Sequence, residues 1–281
     1  MNPTRPIVIG YDASPDSEIA LAWCLQTAAL MHASVRVVVA TMPRGELPAH
    51  LRDYEEDFAR SAASAARDQV KVQPEVDATV VVEQGWPLPV LLRSGRGARM
   101  LVVGSRGHNR FENHWAGSVS QHLAGHAECP VAVIRPQANP RADRILVGID
   151  GSPSSIRALD FAARRAELTG EAVLAVHAYP TLTYGGGGLG ALAMDMNSAD
   201  IDSAERLAVE LVAGIAVDHP DVPLRSTAVM GRPAKVLTRF SDDVSLLVIG
   251  SRGRTPVHEL LLGSVSQETL HRAACPVVVV R

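Results

Sequence analysis

Two glycine–serine loops are the stretches of this chain best equipped to do chemistry. The first runs Gly104-Ser105-Arg106-Gly107 and reaches Gly117-Ser118 after nine further residues. The second runs Gly250-Ser251-Arg252-Gly253 and reaches Gly263-Ser264 after an equal spacer. Each follows an apolar, strand-like run and opens a helix-like segment. Glycines permit positive φ and let another molecule approach the backbone. Consecutive free N–H groups in such a loop form an anion nest. A helix N-terminus adds unpaired donors and a positive dipole end, and Ser118 and Ser264 add hydroxyls. Together these parts suit a phosphate chain. Because Gly104 and Gly250 close buried runs, the backbone there is expected to pass close to the ligand, at positive φ. A side chain at either is expected to exclude the ligand and leave the fold intact.

A second recurring feature is Gly10-Tyr11-Asp12, matched by Gly148-Ile149-Asp150. The small residue leaves room for a ligand. The carboxylate can bind a ribose hydroxyl or a metal, or simply hold the turn and the helix start after it. Neither G-x-x-x-x-G-K-[ST] nor, after the first strand, G-x-G-x-x-G is present. The 27 basic residues include only two lysines, Lys71 and Lys235, and neither stands in a glycine-rich loop. A triphosphate would be met by backbone N–H groups, serines, Arg106 or Arg252, and a divalent cation.

Other candidates read more plainly. His122 and His126 stand four apart on an expected helix, but their counterparts are Glu268 and Arg272 and no third ligand is evident. Cys129 and Cys275 precede proline at the start of apolar runs and read as inert buried thiols. Glu55, Glu56 and Asp57 read as a solvated acidic face. No Ser/His/Asp constellation can be assembled from local motifs.

The elements that must position these loops follow from an internal repeat. IVIGYDASPDS from Ile7 recurs as ILVGIDGSPSS from Ile145, and LVVGSRG from Leu101 as LVIGSRG from Leu247. AGSVSQ from Ala116 recurs as LGSVSQ from Leu262, and CPVAVIR from Cys129 as CPVVVVR from Cys275. The first offset is 138 residues and the others 146, which places an eight-residue insertion in the second copy, at the glycine-rich stretch Gly185–Gly190. The chain of 281 residues is therefore two domains, 1–137 and 143–281, joined by a short linker near Gln137–Asp143.

In the first copy, strands are expected at Pro6–Tyr11, Val35–Thr41, Val76–Glu83, Met100–Gly104 and Val131–Arg135. All are nearly continuous in apolar residues, as strands buried on both faces must be. A helix over Asp16–His32 carries Ile19, Ala22, Trp23 and Leu30 at helical spacing, with Ser14-Pro15 as its start signal. Strand–helix alternation implies an α/β fold with a doubly wound, five-stranded parallel sheet in each copy. Ligands in such sheets bind beyond the carboxyl ends of the strands.

Composition excludes several classes. A net charge of −3, with 47% hydrophobic residues, excludes charge-rich disorder and offers no basic field for nucleic acid. No apolar run is long enough for a membrane span. With three cysteines and no signal peptide, the expected setting is the cytoplasm.

The Gly-x2-Gly-x9-Gly-Ser loops, the Asp ending the first strand and the closing CPV[AV]V strand resemble the universal stress protein family, in its tandem-domain, ATP-binding branch. The resemblance implies the HUP-type fold with strand order 3-2-1-4-5. It also implies ATP as ligand, with Mg²⁺ or Mn²⁺ on the phosphates and Asp12 and Asp150 as the carboxylates nearest that ion. By residue matching, Gly10 and Asp12 lie beside ribose and phosphates, and Ala40 offers backbone to adenine. Gly104, Ser105, Arg106, Gly107, His108, Asn109 and Arg110, with Gly117, Ser118 and Val119, hold ribose and phosphates. The second copy matches these with Gly148, Asp150 and Ala178. Its loop set is Gly250, Ser251, Arg252, Gly253, Arg254, Thr255 and Pro256, with Gly263, Ser264 and Val265.

That strand order leaves the fifth strand at a sheet edge, where an apolar strand invites aggregation unless paired. The closing strands of the two copies are expected to pair with each other. The second site is expected to bind more tightly. Its spacer ends Glu259-Leu260-Leu261-Leu262, as the family's does, where the first ends Asn113-His114-Trp115-Ala116.

The expected function is that of an ATP-dependent sensor or regulator in a stress response, with a homodimer and a regulatory protein as partners. Hydrolysis or self-phosphorylation is expected to be slow at most, since no positioned base or arginine finger is evident. Two alternatives are an enzyme of the related ATP pyrophosphatase group and a nucleotide-free structural protein. DASPDS and DGSPSS lack the paired glycines of the former, and the intact glycine loops argue against the latter.

Overall fold

The computed structural model describes residues 5–46, 48–107, 117–179, 190–253 and 262–281, with backbone alone at 44 and 190–200. The two spacers, with His108, Asn109, Arg110, Arg254, Thr255 and Pro256, lie outside the described residues. So does the expected insertion over 185–189.

In chain order the strands are β1 (Ile7–Gly10), β2 (Val35–Thr41), β3 (Ala78–Gln84), β4 (Met100–Gly104), β5 (Val131–Ile134), β6 (Arg144–Ile149), β7 (Ala172–Tyr179), β8 (Leu224–Met230), β9 (Leu246–Gly250) and β10 (Val277–Val280). The helices are α1 (Pro15–Met31), α2 (Ala49–Val70), α3 (Pro87–Ser94), α4 (Ser118–His126), α5 (Pro153–Thr169), α6 (Gly190–Asp218), α7 (Pro233–Phe240) and α8 (Ser264–Arg272).

One compact unit comprises Met1–Pro136 with Leu270–Arg272 and Pro276–Val279. Its sheet has the order β3-β2-β1-β4-β5, all parallel, so the expected 3-2-1-4-5 order holds. The chain's last strand then adds antiparallel to β5, in the register Val131↔Val279, Ala132↔Val278 and Val133↔Val277. This covers the edge that an unpaired VAVI strand would expose. The inner strands are closed to solvent on both faces, with Ile7, Val8, Ile9, Leu101 and Val102 at 0% exposure.

Two details depart from expectation. The third strand begins at Ala78 rather than Val76, because the Val76 N–H is held in a turn by the Gln73 carbonyl at 3.1 Å. It is also an edge strand, so its residues alternate in exposure and Val82 is 48% exposed.

Helix α1 starts where Ser14 Oγ accepts the Ser17 N–H at 3.3 Å, with Pro15 at its first position. It ends at His32, in the left-handed region at φ 47° and ψ 46°. Its buried stripe is Ala20, Leu21, Cys24, Leu25 and Ala28, while Ile19 and Leu30 are exposed. The helix is apolar around most of its circumference, so composition alone does not single out the face that packs on β1 and β4.

The other unit comprises Gln137–Thr269 with Ala273–Cys275 and Val280–Arg281. Its parallel sheet has the order β9-β6-β7-β8. Helix α5 repeats the start of α1: Ser152 Oγ accepts the Ser155 N–H at 3.3 Å, with proline next. It ends on Gly170 at φ 75°. No helix among the described residues is long and apolar enough to cross a membrane.

Candidate functional site

In each unit the strand order brings three of the sequence-singled positions to adjacent strand ends. Gly10 closes β1, Ala40 is the next-to-last residue of β2, and Gly104 closes β4, with β1 between the other two. In the other unit Gly148 and Ala178 are the next-to-last residues of β6 and β7, and Gly250 closes β9.

Beyond β1 the chain turns on Asp12. Its Oδ1 accepts the Ser14 N–H at 3.1 Å and the Ser14 hydroxyl at 2.5 Å. In the second unit Asp150 Oδ1 accepts the Ser152 N–H at 2.9 Å. Both carboxylates therefore hold the turn that starts the next helix. Their other oxygens face the glycine loop: a Cβ on Gly107 would lie 2.9 Å from Asp12 Oδ2, and one on Gly253 2.8 Å from Asp150 Oδ2.

The loop itself is pinned at both ends. The Ser105 N–H donates to Ile134 at 2.7 Å, and the Ser105 carbonyl accepts the Gly117 N–H at 2.7 Å. The second loop repeats this: Ser251 N–H donates to Val280 at 2.7 Å, and its carbonyl accepts from Gly263 at 2.8 Å. These bonds set the starts of α4 and α8 beside the strand ends. Gly117 (φ −62°, ψ 153°) and Gly263 (φ −67°, ψ 152°) are their N-cap residues, and neither helix has a side-chain cap. Ser118, Val119, Ser264 and Val265 thus lie in first turns whose N–H groups have no intrahelical partner. Helices α1 and α5 differ in being capped by their own serines.

The glycines at the strand ends correct the sequence-based expectation. A Cβ on Gly104 would lie 2.8 Å from the backbone carbon of Asp16 and 2.9 Å from Ser17 N. One on Gly250 would meet Ser154 Oγ at 2.6 Å and the Ser154 backbone at 2.8 Å. These positions are small because the first turns of α1 and α5, the helices that follow β1 and β6, cross them, and neither has φ in the left-handed region. Gly10 and Gly148 are likewise small for packing, against Leu91 and Leu237 at 2.7 Å.

A difference between the copies escapes motif reading. At position 16 the first copy has Asp, whose Oδ2 accepts the Ser105 hydroxyl at 2.5 Å and lies 3.6 Å from Arg106 Nε. At the matching position the second copy has Ser154, whose hydroxyl donates to the Arg252 carbonyl. The repeat alignment could have flagged this pair, but only the fold shows that it touches the loop.

Other candidates fall outside the site. The His122 and His126 rings each donate from Nδ1 to a backbone carbonyl one turn earlier, Ser118 at 2.6 Å and His122 at 2.8 Å. Among the described residues no group of three His, Cys, Asp or Glu could hold a metal. Burial pushes the Cys129 thiol up to about 11 and Cys24 higher still, which leaves both inert at neutral pH. Asp57 pairs with Arg60 at 2.7 Å, as a solvated face would. Glu55 does not fit that description: it is half-buried and its Oε1 accepts the Met42 N–H at 2.9 Å just past β2. It helps line a cavity of about 410 Å³ beside Thr41, Met42 and Gln84.

Comparison with known proteins agrees with this architecture. The model of the universal stress protein family matches residues 3–135 and again 141–281. A universal stress protein of Mycobacterium tuberculosis strain H37Rv is 34% identical over 289 residues, covering 98% of this chain and 96% of the relative. Another from that strain is 29% identical over 303 residues, covering 100% and 97%. The crystal structure of a universal stress protein from Archaeoglobus fulgidus matches with a TM-score of 0.70 at 20% identity, covering 98% and 96%.

Proposed function

The chain belongs to the universal stress protein family, and we propose that each of its domains binds ATP and that nucleotide occupancy regulates a partner protein. The observation that carries this reading is the doubled helix start. Gly117 and Gly263 open α4 and α8 without a side-chain cap, directly behind a glycine loop pinned at both ends. Unpaired first-turn N–H groups at a positive dipole end suit an anion. Ala40 and Ala178 stand one strand away, where their backbone can meet a base.

A divalent ion, Mg²⁺ or Mn²⁺, would neutralise phosphate charge that no loop lysine meets. The residues present fit such an ion in part. Asp12 and Asp150 each keep one carboxylate oxygen against bare glycine backbone at the loop. With no three-residue donor cluster among the described residues, phosphate oxygens and water would complete the coordination.

The same geometry favours holding over turning over. Asp12 is committed by two hydrogen bonds to its own turn. Hydrolysis or self-phosphorylation far below the usual 1–10³ s⁻¹ (roughly) of enzymes is expected. Mass spectrometry of small molecules released on denaturing the purified protein tests the reading. ATP or its diphosphate is expected. Protein that releases no nucleotide and takes none up from Mg·ATP contradicts it.

A further inference from the structure

The two copies share a loop and differ in the charge set against it. The first turn of α1 carries Asp16 and Glu18, and the first turn of α5 carries no acid. The matching residues are Ser154 and Ile156. In the first copy Asp16 accepts a hydrogen bond from the Ser105 hydroxyl and lies beside Arg106, so a serine and an arginine of the loop are both engaged by a carboxylate. Asp16 is well buried, with 14% of its side chain exposed, so its charge is weakly screened by solvent. In the second copy no carboxylate stands at position 154 to engage Ser251 or Arg252 in this way.

Tyr11, just past β1, marks a further charge difference between the copies. Burial raises its phenol most, and Glu18 and Asp12 raise it further. Both carboxylates therefore act on the end of β1. The residue in that place in the second copy is Ile149.

We propose that Asp16 makes the first site the weaker one for polyphosphate, so that the second site fills first and the protein has two thresholds for one nucleotide. This rests on the nucleotide reading of the loops. It ranks the sites as the spacer comparison does, from different residues. A unit charge near a protein surface changes affinity for a triphosphate by about tenfold or more at low salt.

Calorimetric titration with Mg·ATP, and with adenosine as an uncharged probe, tests it on the full chain and on Asp16→Ser and Ser154→Asp. Asp16→Ser installs the residue that the second copy already accommodates, so it is expected to fold. Two binding classes about tenfold apart are expected in the parent. Asp16→Ser should tighten the weak class by about tenfold, and Ser154→Asp should weaken the tight one. Both shifts should shrink at high salt, and adenosine should be unmoved. Equal sites that neither variant shifts, with ATP still bound, would overturn the unequal-charge inference and leave the nucleotide reading intact. Adenosine shifting in step with ATP would also overturn it, since the variants would then act through loop structure. ATP binding to none of the proteins would overturn both.

Discussion

Asp12 and Gly107, far apart in sequence, sit so close that a methyl group on the glycine would begin 2.9 Å from Asp12 Oδ2. Asp150 and Gly253 repeat the relationship at 2.8 Å. The carboxylate that starts the first helix of each domain is thus held against bare backbone of the glycine loop. Neither glycine is in the left-handed region, so alanine adds no backbone strain and acts mainly by displacing the carboxylate. These two positions are the selective handles on the site.

Gly104 and Gly250 are not. A side chain at Gly104 would run into the backbone of α1, and one at Gly250 into that of α5, each at 2.8 Å. Gly104→Val and Gly250→Val are expected to cost about 3 kcal/mol or more, the upper range for overpacking. Urea denaturation followed by circular dichroism checks this. Native-like midpoints with loss of ATP binding would restore the view that these glycines face the ligand.

The copies also differ in local strain. Ala13 has φ 55° where Gly151 has φ 80°, and His32 has φ 47° where Gly170 has φ 75°. A non-glycine residue in this region costs about 1–2 kcal/mol, and glycine gives part of that back as unfolded-state entropy. Ala13→Gly and His32→Gly should each stabilise the protein by about 0.5–1 kcal/mol. The denaturation midpoint should rise in both, and Gly151→Ala and Gly170→Ala should lower it.

His219, 3% exposed, lies between two carboxylates of α5, with Glu167 at 2.6 Å from Nδ1 and Asp160 at 3.2 Å from Nε2. Burial alone would lower its pKa, but the hydrogen bonds to Glu167 and Asp160 outweigh it and hold the ring above its ordinary value. The folded pKa exceeds the unfolded one. The stability it contributes is therefore complete below about pH 6.5 and fades as pH rises through the raised value. His219→Gln should cost roughly 1–3 kcal/mol at pH 6, with the gap from the parent narrowing by pH 8.5. A cost independent of pH would show that the ring is neutral.

The architecture was legible because it is local and stated twice. Helix starts at Ser14-Pro15 and Ser152-Pro153, buried strands and the repeat each follow from a few neighbouring residues. What escaped depends on contacts distant in the chain. That Gly104 must be small is readable from its place; that it is small for Asp16 and Ser17 is not. Glu55 looks solvated within its own helix, and only the fold brings Met42 N–H to it. Ile19 and Leu30 mark the helix period, yet both are exposed, because an almost wholly apolar helix leaves its orientation to packing.

The most direct test of nucleotide binding at the glycine loops is equilibrium titration of Mg·ATP against the parent chain and the Gly107→Ala, Gly253→Ala double variant, with and without EDTA. The parent should bind saturably, and EDTA should weaken binding. The double variant, melting cooperatively at nearly the parent's temperature, should lose most of its affinity. A folded double variant that binds Mg·ATP as tightly as the parent would contradict the assignment of the nucleotide to these loops.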